Sequence, residues 1–328
     1  MKQMKAAFIR KYGRTNVLEV GNIDVPAPTP DQILIKVKAA SINPRDWLLM
    51  RGLYPFKKLA EPFPVVLGSD MSGTVTAVGD KVKSIKVGDD VFGMQPIKGK
   101  FGALAEFAAI KESAVAIKPA EVSHAEAAAM PCAGMTSYQA IRDLAHVKKD
   151  ETVLVNGASG GVGSYAVQMA KLAGAYVIAV AGPDNQQLCR ELGANEVINY
   201  KEENFEDHDN AYDVVYDVIG RSSPSRCHRA LRKGGRYVST IPSLRMLVKS
   251  WLSKLTAHIG LNKSQTAHLI LVKPHGPDLA EMAQLILEGK MKSLIDSRFS
   301  LEEAIAAFEK SQSWRAKGKI IIDIAPKY

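Results

Sequence analysis

Two rhythms of hydrophobic and polar positions divide this chain. Over its first third, short β-rich or alternating segments recur at residues 5–9, 32–39 and 71–78. A period of two is the pattern of a strand with one buried face. Pro26, Pro28, Pro30, Gly68, Gly73, Gly79, Gly88 and Gly93 punctuate these segments, so the region predicts a barrel-like β domain with many turns. From residue 151 the rhythm changes. An apolar strand at 151–156 runs into a glycine-rich turn at 157–163, then a helix-spaced run at 164–173. Further strands are expected at 176–181, 196–200, 213–218 and 235–240, with helices at 185–192 and from 218 to Leu231. Strands alternating with helices predict βαβ units and a parallel sheet. The tail predicts helices at 279–288 and 301–311 and a strand at 319–324, placed to fold back onto the first domain.

Two segments between these regions have their own patterns. Residues 243–263 form a basic amphipathic helical stretch, read as a packing or lid element because Gly260 and Asn262-Lys263-Ser264 interrupt it. Residues 268–273 are strand-like and open the option of pairing across a two-fold axis in a homodimer.

A length of 328 residues suits two domains. The division expected is 1–125 with 276–328 as one domain and 126–275 as the other. Every apolar run is broken by Lys, Arg, Asp or Gly before it reaches membrane-spanning length. The first ten residues lead straight into strand-like sequence without an apolar signal core, so a cytoplasmic location is expected. Cys132, Cys189 and Cys227 are too few and too scattered for a disulfide framework, and no pair has CxxC spacing. The net charge of +9 raises the question of nucleic acid. The Lys and Arg residues are scattered, with no dense basic block interleaved with aromatics, so no nucleic-acid partner is expected. A positive potential also suits a phosphate-rich cofactor.

The turn Gly157-Ala158-Ser159-Gly160-Gly161-Val162-Gly163 lies between a strand and a helix, the context a dinucleotide fingerprint requires. Gly160 would let the backbone approach a pyrophosphate, and Gly163 would let helix and strand pack closely. Ser159, Gly160, Gly161 and Val162 would then offer the phosphates the free N–H groups of a helix N-terminus. Ala158 takes the first glycine's place, so the strict GxGxxG pattern is not met. The second strand ends in Ala181-Gly182, without the carboxylate that binds the ribose 2′-hydroxyl of NAD. NADP(H) is therefore the cofactor expected, although no Lys or Arg stands at the usual place for its 2′-phosphate. Tyr200, ending the third strand, is within range of the adenosine end. Ile219 and Ile241 follow the fourth and fifth strands, where ligands bind in open α/β sheets.

Several motifs occur in a fixed order over nearly the full length: Ile42-Asn43-Pro44-Arg45-Asp46, Arg51-Gly52-Leu53-Tyr54-Pro55, Leu67 to Gly73, Val87 to Val91, Gly102 to Phe107, Pro131 to Tyr138, and Ile198-Asn199-Tyr200. With them the chain resembles the medium-chain dehydrogenase/reductase superfamily. The resemblance implies an α/β protein, a GroES-like β-barrel domain plus a Rossmann doubly wound parallel-sheet domain, with the nicotinamide in the cleft between them. Zinc alcohol dehydrogenases of this family have Cys where Asn43 stands, His where Ser69 stands, and Cys at the position of Cys132. One retained ligand does not make a catalytic zinc site, which needs three; Asp70 does not repair it. No metal is expected, and Cys132 reads as a packing residue.

The branch resembled is that of zinc-independent quinone oxidoreductases and alkenal/enone reductases. The resemblance implies that Asn43 and Tyr54 line the cleft, Asn43 donating to a substrate oxygen and Tyr54 hydrogen-bonding or donating a proton. Each has an equally good structural reading: Asn43 as a turn residue before Pro44, Tyr54 as a half-buried aromatic. Asp46 is expected to bond backbone or Arg51; Lys319, before the last strand, has two readings, an approach to the cofactor and the favoured one of a solvated surface residue. The expected activity is NADPH-dependent reduction of a quinone or enone. The alternatives are a zinc-type alcohol dehydrogenase and a non-catalytic NADPH-binding protein that senses redox state or binds RNA.

Overall fold

The computed structural model describes residues 2–55, 57–100, 102–241 and 265–324. The basic stretch at 243–263 lies outside the described residues. In chain order, the elements are β1 (Gln3–Ile9), β2 (Leu18–Asp24), β3 (Gln32–Ile42), α1 (Pro44–Met50), β4 (Val65–Val66) and β5 (Asp70–Val78). Next come β6 (Asp90–Met94), β7 (Phe107–Lys111), β8 (Val115–Ile117), α2 (His124–Ala129), α3 (Pro131–Gln139), β9 (Thr152–Asn156) and α4 (Gly161–Leu172). After these lie β10 (Tyr176–Ala181), α5 (Gln186–Glu191), β11 (Glu196–Asn199), β12 (Tyr212–Asp217), β13 (Leu231–Ser239) and β14 (Thr266–Leu269). The tail holds α6 (Gly276–Leu287), β15 (Ile295–Ser300), α7 (Ala304–Gln312) and β16 (Lys319–Asp323). The chain divides into two units, residues 1–135 with 273–328, and residues 136–272.

The first unit is built on β3. Its alternation puts Ile33, Ile35 and Val37 into a core shared with Met71, Val91, Ile110, Phe308 and Ile322, while Lys36 points to solvent. β3 pairs with β5 and β7 and, from the far end of the sequence, with β16, all antiparallel. The sheet order is β15-β16-β3-β5-β6-β8, with β7 on β3, beside a smaller sheet β2-β1-β4. Two registers shape one corner of this sheet. Ser41 stands opposite Asp70, and Ile42 stands opposite Ile320. The ends of β3, β5 and β16 are thereby brought to one place, where α1 begins. There Asn43 precedes Pro44, whose fixed φ suits a first helical position.

The second unit is a parallel sheet in the order β11-β10-β9-β12-β13-β14. Its central strands are buried along their length, which is why they read as continuous apolar runs rather than alternating ones. Between β9 and β12 the strand order reverses direction, and the carboxyl ends of both strands face the crevice where open α/β sheets bind ligands.

The helix expected from 218 to Leu231 is not regular. Residues 224–230 are hydrogen-bonded turns, with Cys227 N–H donating to Ser223 O and Leu231 N–H to Cys227 O. Ser222, Ser223, Pro224 and Ser225 start this segment, and such residues compete with or block helical backbone bonding. The strand expected at 268–273 lies instead at Thr266–Leu269, paired with β13 of the same sheet, with Val238 opposite His268.

Candidate active site

The second unit gathers the residues expected at a dinucleotide around the carboxyl ends of β9 to β13. Gly157 has φ +87°, a conformation open to glycine, and it turns the chain sharply out of β9. A Cβ at Gly163 would lie 2.1 Å from Gly157 O, so only glycine allows α4 to start this close to the strand. Gly160 caps α4 with extended backbone, and a Cβ there would meet nothing nearer than 3.5 Å. The surface over Gly160 is thus open, and the first-turn N–H groups of a helix have no intrahelical acceptors. Ser159, Gly160, Gly161 and Val162 all lie partly exposed at this rim.

The neighbouring loops close against the turn. A Cβ on Gly157 would be 2.7 Å from Ile219, and one on Gly220 would be 2.4 Å from Ile241, so the Ile219 and Ile241 loops stand side by side. Asp217 holds the first of them: Asn156 Nδ2, Gly220 N–H, Ser222 N–H and Tyr237 Oη all donate to its carboxylate, at 2.7–3.0 Å. At the end of β10, Ala181 is buried and Gly182 faces the ring of Tyr200, which is 59% exposed. Asn185 donates to Ser159 Oγ across 3.1 Å, and its own Oδ1 is buried without a hydrogen-bond partner. An open glycine cradle at a helix N-terminus and an orphaned buried acceptor are features that a bound dinucleotide would complete.

The first unit holds a different kind of site. Asp70, Lys319 and Asn43 are 0%, 3% and 4% exposed and form one hydrogen-bonded cluster. Asp70 Oδ2 accepts from Ser41 Oγ and Asn43 Nδ2, each at 2.9 Å, and from Lys319 Nζ at 3.3 Å. Its Oδ1 accepts from the Cys132 N–H at 2.9 Å. Lys319 Nζ also donates to Asn43 Oδ1 at 2.5 Å and to Ile42 O at 3.3 Å. Lys319 is therefore not the solvated surface residue its place at a strand start suggested. Antiparallel pairing of Ile320 with Ile42 carries it beside Asn43.

Asp46 braces the same corner. Its carboxylate accepts the Asn43 N–H at 2.7 Å and the Ser69 hydroxyl at 2.9 Å. Arg51, the other partner considered for it, lies instead over the ring of Trp47 at 5.4 Å. Burial raises the Asp46 carboxyl to about 6, opposed by Arg45 and by the Asn43 N–H. Burial also pushes the Cys132 thiol up to about 11, with Asp70 adding to the shift and Arg45 and Lys319 opposing it.

Tyr54 is half-buried after α1, with the Arg45 guanidinium 5.9 Å from its ring centre. Sequence reasoning missed Arg45, whose Nε is buried without a partner, although it sits two positions from Asn43. No motif marks it. The one available signal was the cost of burying a cation in a segment that packs a helix.

A zinc ion does not fit this cluster. The positions matching zinc ligands hold a carboxamide, a hydroxyl and a thiol raised to about 11, and the Asn43 oxygen already faces an ammonium. A carboxamide and a hydroxyl are not the thiolate, imidazole or carboxylate ligands of zinc, and the ammonium beside them repels a dication. Among the described residues no group of three or more His, Cys, Asp or Glu is placed to hold a metal ion.

Residues 29–120 match the model of the alcohol dehydrogenase GroES-like domain, and residues 192–322 that of the zinc-binding dehydrogenase family. A chloroplast envelope quinone oxidoreductase homolog of Arabidopsis thaliana is 36% identical over 98% of this chain and 99% of its own. An NADPH-dependent alkenal/one oxidoreductase of the same plant, chloroplastic, is 33% identical over 98% of this chain and 80% of its own. The quinone oxidoreductase structure from Coxiella burnetii superposes with a TM-score of 0.87 at 31% identity, covering 99% of this chain and 100% of that one. On sequence, on fold and on the order of its motifs, this chain belongs to the medium-chain dehydrogenase/reductase superfamily, among the relatives of quinone and alkenal/one oxidoreductases.

Proposed function

We propose that this protein is an NADPH-dependent reductase that transfers hydride to a quinone or an α,β-unsaturated carbonyl without a metal. The observation that carries this reading is the composition of the Asn43 cluster. Zinc-type members of the family hold a localised alkoxide on the metal, whereas here a carboxamide, a hydroxyl and a thiol stand at the ligand positions and a buried ammonium lies against the carboxamide. Hydride added to a conjugated acceptor leaves an enolate or hydroquinone anion, whose delocalised charge a neutral N–H donor such as Asn43 can hold. Tyr54 is the second candidate donor. NADPH would supply the hydride, and this chain's residues bind and orient it. Ser159, Gly160, Gly161 and Val162 are assigned to the pyrophosphate, Ala181, Gly182 and Tyr200 to the adenosine end, and Ile219 and Ile241 to the nicotinamide side. The relatives named for quinone and for NADPH-dependent alkenal/one chemistry support the reading.

Following NADPH loss with a panel of quinones and enones, and NADP reduction with primary and secondary alcohols, tests it. Turnover of the conjugated acceptors alone is expected. Alcohol oxidation without conjugated reduction would return the zinc-type reading, and silence in both assays the non-catalytic one.

We further read the assembly as a homodimer and the location as cytoplasmic. All three cysteines are buried free thiols, which suits a reducing compartment. Light scattering at twice the chain mass, and cell fractionation, check these points. Among the described residues no helix is long and apolar enough to cross a membrane.

A further inference from the structure

We propose that Lys319 is a positioning residue for reduction, acting through Asn43: it fixes which way the carboxamide faces and leaves one Nδ2 N–H for the oxygen of the acceptor. The assignment rests on the reductase reading above.

An ammonium has three N–H donors and no acceptor. Three acceptors lie within reach of Lys319 Nζ: Asn43 Oδ1 at 2.5 Å, Ile42 O at 3.3 Å and Asp70 Oδ2 at 3.3 Å. All its protons are engaged, so Lys319 keeps none for a ligand, and its influence passes through the groups it touches. Asn43 is held between Lys319, which can only donate, and Asp70, which as a carboxylate can only accept. The two ends of a carboxamide have nearly the same shape, and their partners decide the orientation. Between these partners one orientation survives: Oδ1 toward Lys319 and Nδ2 toward Asp70. The flipped amide would set NH₂ against the ammonium and oxygen against the carboxylate.

Nδ2 has two hydrogens, and Asp70 takes one. No other described residue accepts the second. The ammonium on Oδ1 also draws electron density from the amide, which makes the remaining N–H a stronger donor to a developing enolate. Lys319 and Asp70 cancel in charge, and the hydrogen bonds to each make their burial tolerable. The residue that orients Asn43 thus comes from the last strand of the chain, brought there by the β3–β16 register.

The test compares four proteins: the parent, Asn43→Ala, the double variant Lys319→Met/Asp70→Asn, and the triple variant. The double variant removes both charges while keeping shape, so no lone buried charge is left to unfold the protein. Turnover is measured with a quinone and an enone, and NADPH affinity by fluorescence titration. The double variant is expected to lose about 10² in turnover, in the range of a misplaced oxyanion donor, with NADPH affinity within about twofold of the parent. Asn43→Ala should lose a similar factor, and the triple variant no more than either, because residues acting as a unit are not additive. Losses that multiply in the triple variant would overturn the assignment, as would a double variant that turns over like the parent. A parent silent toward every acceptor would overturn the reductase reading and the assignment together.

Discussion

The two units solve their chemical tasks with different materials. In the second unit the candidate site is made of backbone: a left-handed glycine, a helix N-terminus and loops so close that a Cβ on Gly157 or Gly220 would clash with the neighbouring isoleucine. In the first it is made of side chains drawn from β3, α1, β5, α3 and β16, spread from residue 41 to residue 319 and joined by buried hydrogen bonds. A backbone site is set by local turn chemistry and fails mainly through steric intrusion. A side-chain site depends on long-range register and fails mainly through an unpaired buried charge. The difference predicts how each unit breaks.

The largest effect is expected in the first unit. Asp70→Ala leaves Lys319 buried without a counter-charge, and removal of one partner of a buried pair costs about 3–5 kcal/mol. Urea denaturation reads this directly. The Lys319→Met/Asp70→Asn double variant should be markedly more stable than Asp70→Ala; equal stability would mean that the pair is not what holds the corner together.

Next comes a dependence on pH. The Asp46 carboxyl rises from 3.8 to about 6 on folding, because burial disfavours its charge. The unfolded chain therefore ionises first, and stability falls as pH climbs from about 4 to about 6, then levels off. The swing for this one group is at most about 3 kcal/mol. Asp46→Asn should flatten that part of the profile, and parent and variant losing equal stability between pH 4 and pH 7 would contradict it.

Two smaller effects probe the backbone site. Gly163→Ala forces a Cβ to within 2.1 Å of Gly157 O, and overpacking of this kind costs about 1–3 kcal/mol. NADPH affinity should fall with it, since the turn itself must shift. Ala181→Asp leaves the glycines of the turn in place but introduces a carboxylate at the end of β10. It should shift preference from NADPH toward NADH by about tenfold or more, equivalent to about 1.4 kcal/mol. Fluorescence titration with both cofactors would expose an unchanged ratio.

The same contrast explains what could be read from the sequence. The glycine-rich turn and the strands of the parallel sheet were legible, because each is encoded by a few neighbouring residues. The turn at 224–230 was missed because helical hydrophobic spacing outweighed Ser222-Ser223-Pro224-Ser225, which deny the segment a regular start. In the first unit Asn43 was recognisable through its motif and Tyr54 through its own, but what Asn43 touches was not. Lys319 read as a surface lysine because nothing local distinguishes it. Only the pairing of Ile320 with Ile42 reveals its burial, and such a register joins residues far apart in sequence. Arg45 was hidden for a similar reason: its partners Cys132 and Tyr54 come from different stretches.

The division of labour between the units can be tested in one matrix. Turnover with an enone and the dissociation constant for NADPH are measured for the parent, Asn43→Ala and Ala181→Asp. Asn43→Ala should lower turnover by about 10²–10³ and leave NADPH affinity within about twofold, while Ala181→Asp should change cofactor affinity and leave turnover at saturating cofactor near the parent's. Asn43→Ala weakening NADPH binding as much as it lowers turnover would contradict the account.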